Sequence, residues 1–158
     1  MPIDFGWLET LALIEGLRFS RWAYAAVNAT HILGIALLIG GAVPMALRLF
    51  GLWPDTVRAD LVRVLKVTTG SGLVLAIASG SLLFATRASE YAAHPAFQVK
   101  LLFVAAGITS ALVAHARHGR TLDGASGAAA NRIAAVTIVC WLSALTAGRL
   151  IAFIEPVP

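Results

Sequence analysis

From Trp22 to Leu47 the chain carries no charged residue, histidine aside, and this run decides what the molecule can fold into. A spanning helix needs about twenty apolar residues, because the hydrocarbon is about 30 Å thick and each residue rises about 1.5 Å. The first run exceeds that length. Pro44 and the pair Gly40–Gly41 lie near its end, where neighbouring helices can re-satisfy a kinked backbone. A second run, Val67 to Thr86, is also uncharged. It holds Gly70, Gly72, Ala76, Ser79, Gly80 and Ser81, small residues that let helices approach closely.

Two later runs are interrupted. Leu101 to Ala114 and Ile133 to Gly148 are each too short to cross a bilayer alone, so each must take in its flanks. The expected spans are therefore about 22–48, 66–87, 95–117 and 132–154, which puts Lys100 and Arg149 at or inside the membrane. Residues 4 to 19 add a helical rhythm, with Trp7, Leu11 and Ile14 on one face and Glu9 pointing the opposite way. This suggests a short helix over about 1–20 lying on the membrane surface. The expected fold is an all-α integral membrane protein. It is a four-transmembrane-helix bundle with an N-terminal interfacial helix, forming one domain over 1–158.

Composition agrees: 59% of residues are hydrophobic and 13% charged, against roughly half and a quarter in a soluble domain. No Lys/Arg-rich run with interleaved aromatics points to nucleic acid. The single cysteine, Cys140, excludes an internal disulfide and any CxxC metal site. The N-terminus does not read as a signal peptide, because Asp4, Glu9 and Glu15 precede the first positive charges, Arg18 and Arg21. There is no internal repeat and no linker long enough to separate two domains.

Basic residues set the expected orientation. The loop after the first span holds Arg48, Arg58, Arg63 and Lys66, and the loop after the third holds Arg117, Arg120 and Arg132. The other side holds only Arg18, Arg21 and Arg87, beside Asp4, Glu9, Glu15, Glu90 and Glu155. Both loops then face the cytoplasm and both termini the periplasm or exterior, in the inner membrane of a bacterium. Trp22, Trp53, Tyr24 and Tyr91 read as interfacial anchors.

An ionisable group inside a membrane is costly and marks a functional candidate. His31 follows Trp22 by nine residues, about 9–14 Å below the outer surface. Lys100 lies about 7 Å deep, Arg149 about one turn from the outer end of the fourth span, and His94 at the outer mouth. No acid within the spans is available to neutralise them. If they face inward, the guest is anionic. A b-type haem fits that description, with histidine on the iron and Lys100 and Arg149 on the propionates. His31 and His94 are the candidate metal ligands, either as a strained pair at unequal depth or with His31 alone. Each residue has a second reading: Lys100 and Arg149 as snorkelling side chains, His31 as a histidine hydrogen-bonded to a neighbouring helix, and His94, His115 and His118 as loop or interfacial residues.

Two stretches resemble a known group. THILGIALLIGG in the first span resembles the histidine-plus-glycine pattern of the copper-resistance D membrane domain and related four-span bacterial proteins. FQVKLLFVAAG in the third resembles that group's aromatic-x-x-lysine opening, and the exit ALRLFGL and ending GRLIAF resemble an uncharacterised four-span family within it. The resemblance implies a four-helix bundle with metal or haem handling, and it carries over to His31, Lys100 and Arg149.

The expected function is a small membrane redox module that binds haem b in the outer half of the bundle and passes electrons to a redox partner. A copper-handling or transport protein is the alternative, although copper favours soft ligands and the chain offers only Met1, Met45 and Cys140. A structural subunit of a larger membrane complex is the third reading. No nucleophile–base pair, carboxylate pair or phosphate loop points to a hydrolase or transferase.

Overall fold

The computed structural model describes residues 5–153, and these form α1 (Gly6–Glu9), α2 (Ala12–Phe19), α3 (Arg21–Leu49), α4 (Arg58–Ala85), α5 (Ala88–Ala93), α6 (Pro95–His118) and α7 (Gly127–Leu150). Asp4, Ile154 and Glu155, which bear on the expected surface helix, the fourth span and the charge balance, lie outside the described residues. No strand occurs among the described residues. The helices α3, α4, α6 and α7 are each long and apolar enough to cross a bilayer, so the chain is a multi-pass membrane protein. They run up, down, up and down. The end bearing α1, α2 and α5 is called here the cap end, and the end bearing the α3–α4 and α6–α7 loops the loop end.

Local chemistry fixes where the helices begin and stop. Ser20 caps α3 by accepting from the Ala23 amide (3.3 Å). His94 caps α6 and is followed by Pro95, whose missing N–H costs nothing at a first helical position. Gly119 ends α6 with φ +83, a conformation open to glycine. The helix α4 starts at Arg58, about two turns before its uncharged run, and α7 starts at Gly127 rather than near 132. Charge limits the hydrocarbon-embedded part of a helix and leaves its length free. Two arginines knit the loop end: Arg48 donates to the Thr56 and Pro54 carbonyls, and Arg58 to those of Leu122 and Ala125.

The first two spans meet backbone to backbone. A Cβ added at Gly34 would lie 2.6 Å from the Ala76 nitrogen, and one at Gly72 would lie 2.7 Å from the Gly34 oxygen. A bilayer supplies no hydrophobic force between helices, so such close van der Waals packing is what holds the pair. The helices α6 and α7 pair around Gly107, against which the buried Trp141 ring lies. The two pairs join through α3 and α7: Leu38 and Ala42 pack on Trp141 at mid-depth, and Ala46 and Leu49 pack with Ala130 and Ala134 toward the loop end. The helices α4 and α6, although consecutive spans, are not packed along their lengths. Near the cap end, Phe84 of α4 stacks on Phe97 of α6 with ring centres 5.2 Å apart, and Phe5 meets Phe84 edge-on at 5.7 Å.

The lead-in is two short helices rather than one. Ile14 and Leu17 of α2 are buried, while Trp7 and Leu11, expected on the same face, are exposed. Glu9 does not face away from the fold: it accepts from the Ser89 amide of α5 (3.0 Å) and pairs with Arg18 at 3.8 Å.

Candidate functional site

The unpacked seam between α4 and α6 leaves a cavity of about 420 Å³ in the cap-end half of the bundle. All four spanning helices line it. Its walls are apolar except for His31 of α3, Lys100 of α6 and Ser81 of α4. The Phe84 and Phe97 rings border it toward the cap end, and Trp141 separates it from a smaller cavity toward the loop end.

His31 is fixed by α4. Its Nδ1 lies 2.9 Å from the Ala76 carbonyl oxygen and 3.2 Å from Ser79 Oγ. A carbonyl only accepts, so Nδ1 carries the proton and donates to it. Ser79 Oγ donates to the Leu75 carbonyl, which leaves an oxygen lone pair to share the Nδ1 proton. In the neutral ring the lone pair is therefore on Nε2, which has no hydrogen-bond partner among the described residues. Gly80 makes room for the ring: a Cβ there would stand 2.8 Å from His31 Cε1. The expectation of a histidine bonded to a neighbouring helix describes this geometry, and it leaves one nitrogen for a ligand.

Lys100 faces the same cavity. Its Cδ and Cε pass Gly148, where an added Cβ would lie 3.4 and 3.5 Å away. It forms no hydrogen bond or ion pair among the described residues, and no acid lines the cavity. An amine in apolar surroundings without a counter-ion is costly to keep charged, and an anionic guest would offset that cost.

The other expected site residues lie elsewhere. Arg149, adjacent to Gly148, is exposed, and its guanidinium carbon stands 4.9 Å over the Phe153 ring. His94 is buried, but it does not line the cavity, and its Nδ1 accepts from the Ala96 amide (3.2 Å) at the start of α6. His118 holds the Gly124 carbonyl at 3.2 Å, and His115 lines the smaller cavity. Cys140 is buried and lines neither cavity. Among the described residues, no three His, Cys, Asp or Glu side chains converge as a metal cage.

Sequence reasoning passed over Ala76, Ser79 and Gly80 as partners of His31. The run of small residues in the second span reads as packing, and at Gly72 it is packing. At Gly80 the same smallness seats an imidazole. Only the relative rotation of α3 and α4 separates the two uses, and no spacing within α4 encodes it. No family model, curated protein or solved structure matches the chain.

Proposed function

We propose that the protein is a small membrane redox module that holds a b-type haem in the cavity between α4 and α6, with His31 as the residue that would hold its iron. The observation that carries this reading is the His31 ring. Its Nδ1 is tied to the Ala76 carbonyl, and its Nε2, on a wall of an apolar cavity, has no hydrogen-bond partner among the described residues. Second-shell bonds of this kind fix the tautomer and ring orientation of metal-binding histidines. The volume of about 420 Å³ falls in the usual range of cofactor pockets, about 300–1,000 Å³.

The residues present fit the group. His31 would hold the iron, Lys100 would pair with a propionate, and Phe84, Phe97 and Trp141 would exclude water from the macrocycle. A bound haem supplies one-electron chemistry; the chain's part is to bind, orient and desolvate it. His94 is committed to the α6 N-terminus, so the reading uses a single histidine. Arg149 is left outside the binding set because it is exposed beside Phe153.

Arg48, Arg58, Arg63, Lys66, Arg117, Arg120 and Arg132 at the loop end favour a cytoplasmic loop end in a bacterial inner membrane, with the cavity in the outer half. Reporter fusions at Asp60 and Gly124 should then report cytoplasm, and fusions at Glu90 and after Pro158 the exterior. The reverse pattern overturns the orientation.

The test of function is an absorption spectrum of protein made with ample haem. Wild type should show a Soret band, and His31→Ala should lose it while keeping its helix content. Lys100→Gln should retain haem about tenfold or more less tightly, since it removes one charge-assisted contact of about 1.5–3 kcal/mol. His118→Ala should change nothing. A wild type without a Soret band ends the haem reading, and copper binding is then the measurement to make. A band that survives His31→Ala moves the site elsewhere.

A further inference from the structure

The α4–α6 seam continues past Trp141 into a second cavity of about 190 Å³ in the loop-end half, distinct from the site of the proposed cofactor. Its walls are apolar except for Lys66, Thr69, His115 and Thr137, and Gly70 of α4 and Leu112 of α6 are exposed at its edges. Lys66 and His115 line it from opposite helices, and no acid does. His115 Nδ1 is buried without a hydrogen-bond partner among the described residues, and buried polar groups are ordinarily paired.

Basic residues gather at the same end of the bundle. Arg48 and Arg58 are occupied with loop carbonyls, and Arg63 pairs with Asp60 at 3.4 Å. Lys66 reaches the Arg120 carbonyl (3.4 Å), which brings the α6–α7 loop beside the base of α4. Lys66, Arg117 and Arg120 have no ion pair among the described residues.

We propose that this half of the seam is a binding site for one anionic phospholipid, its phosphate at Lys66 and His115 and an acyl chain in the apolar cavity between α4 and α6. The pattern of charge selects this occupant. A second copy of the chain would bring an apolar helix face to a seam ringed by unpaired cations, whereas an anionic lipid brings a flexible apolar chain and a compensating charge. Basic pockets between helices attract anionic headgroups by about 1 kcal/mol per Lys or Arg. The phosphate oxygens are acceptors suited to the Lys66 ammonium and to a ring N–H of His115.

The test is native mass spectrometry of the full chain released from vesicles containing equal amounts of phosphatidylglycerol and phosphatidylcholine. Wild type should retain one phosphatidylglycerol per chain. Lys66→Gln should retain about fivefold less, and Lys66→Arg should restore retention. Gly70→Leu keeps every cation but adds bulk at an open edge of the cavity, so it too should lose the lipid; circular dichroism checks that it folds. Inorganic phosphate at millimolar concentration should not displace the lipid. Equal retention of phosphatidylcholine, indifference to both Lys66→Gln and Gly70→Leu, displacement by phosphate alone, or a chain dimer in place of the lipid would each overturn the proposal.

Discussion

The helix α4 presents two faces, and they behave oppositely. Toward α3 it offers Gly72, and the two backbones come so close that a single added carbon would collide with Leu38 or Gly34. Toward α6 it offers Leu73, Ile77 and Phe84, and the seam stays open around two cavities. The face that packs, with Gly72, Ala76 and Ser79, is the less apolar of the two, so hydrophobicity is not what holds it. Lipid is as apolar as leucine, and helices in it associate only where shape allows dense contact or a polar group finds a partner. The α3–α4 seam has both, glycine contact and the His31 bond to Ala76. The α4–α6 seam has the Phe84–Phe97 stack at one end and two lysines, Lys100 and Lys66, that have no ion pair among the described residues.

The largest effect expected from this contrast is on assembly. Gly72→Leu should drive α3 and α4 apart and cost about 3 kcal/mol or more, with loss of folded protein, because bulk is forced between backbones. Leu112→Ala, on an exposed edge of the open seam, should stay within about 0.5 kcal/mol. Unfolding of both variants in lipid discs by steric trapping measures the difference. Equal stabilities would mean that close backbone approach is not what holds the first pair.

Next in size is Gly80→Ala. The new methyl would meet His31 Cε1, and the ring must turn or α4 must shift. Because overpacking costs about 1–3 kcal/mol, haem retention should fall about tenfold or more while helix content is unchanged. Ser71→Ala on the same helix serves as the control, because the exposed Ser71 hydroxyl bonds the Thr68 carbonyl and the residue lines neither cavity. Equal retention by both variants would detach the cavity from the α3–α4 geometry.

The smallest effect concerns the cap over the seam. The Ser89 amide, and to a lesser degree Arg18, hold the Glu9 carboxyl below its ordinary value. A carboxylate lowered in this way contributes its full stabilisation above the ordinary carboxylate value, about 4.3, and loses it as pH falls through the lowered value. Hydrogen exchange in α1 and α5 should therefore quicken slightly on acidification below about pH 4, and Glu9→Gln should show no such step. A wild type with no step would show that the Glu9 contact does not hold α1 against α5.

Much of the fold was legible before any coordinates, because the bilayer imposes a length on every apolar run. Trp22 to Leu47 could be nothing shorter than a span, and the interrupted third and fourth runs had to reach across Lys100 and Arg149. The candidate site was only half legible. Depth along the axis follows from residue number, and it put His31 and Lys100 at related levels. Direction around the axis follows from packing. Arg149 shares that depth and is exposed beside Phe153, whereas its neighbour Gly148 borders Lys100. His94 stands at the start of α6, and its ring is occupied with that helix end.

The sequence by itself determined that the chain is a four-span membrane bundle, that its basic charge gathers at the loop end, and that a histidine and a lysine fall within the spanning helices. These follow from one-dimensional quantities, the length of apolar runs and the positions of charges. Tertiary structure alone decided that α3 and α7 join the two helix pairs, that α4 and α6 leave a seam, that Gly72 packs while Gly80 seats an imidazole, and that His31 keeps Nε2 free. Those outcomes depend on how each helix is rotated about its own axis. In a solvent without hydrophobic force, that rotation is set by the contacts of every neighbouring helix together.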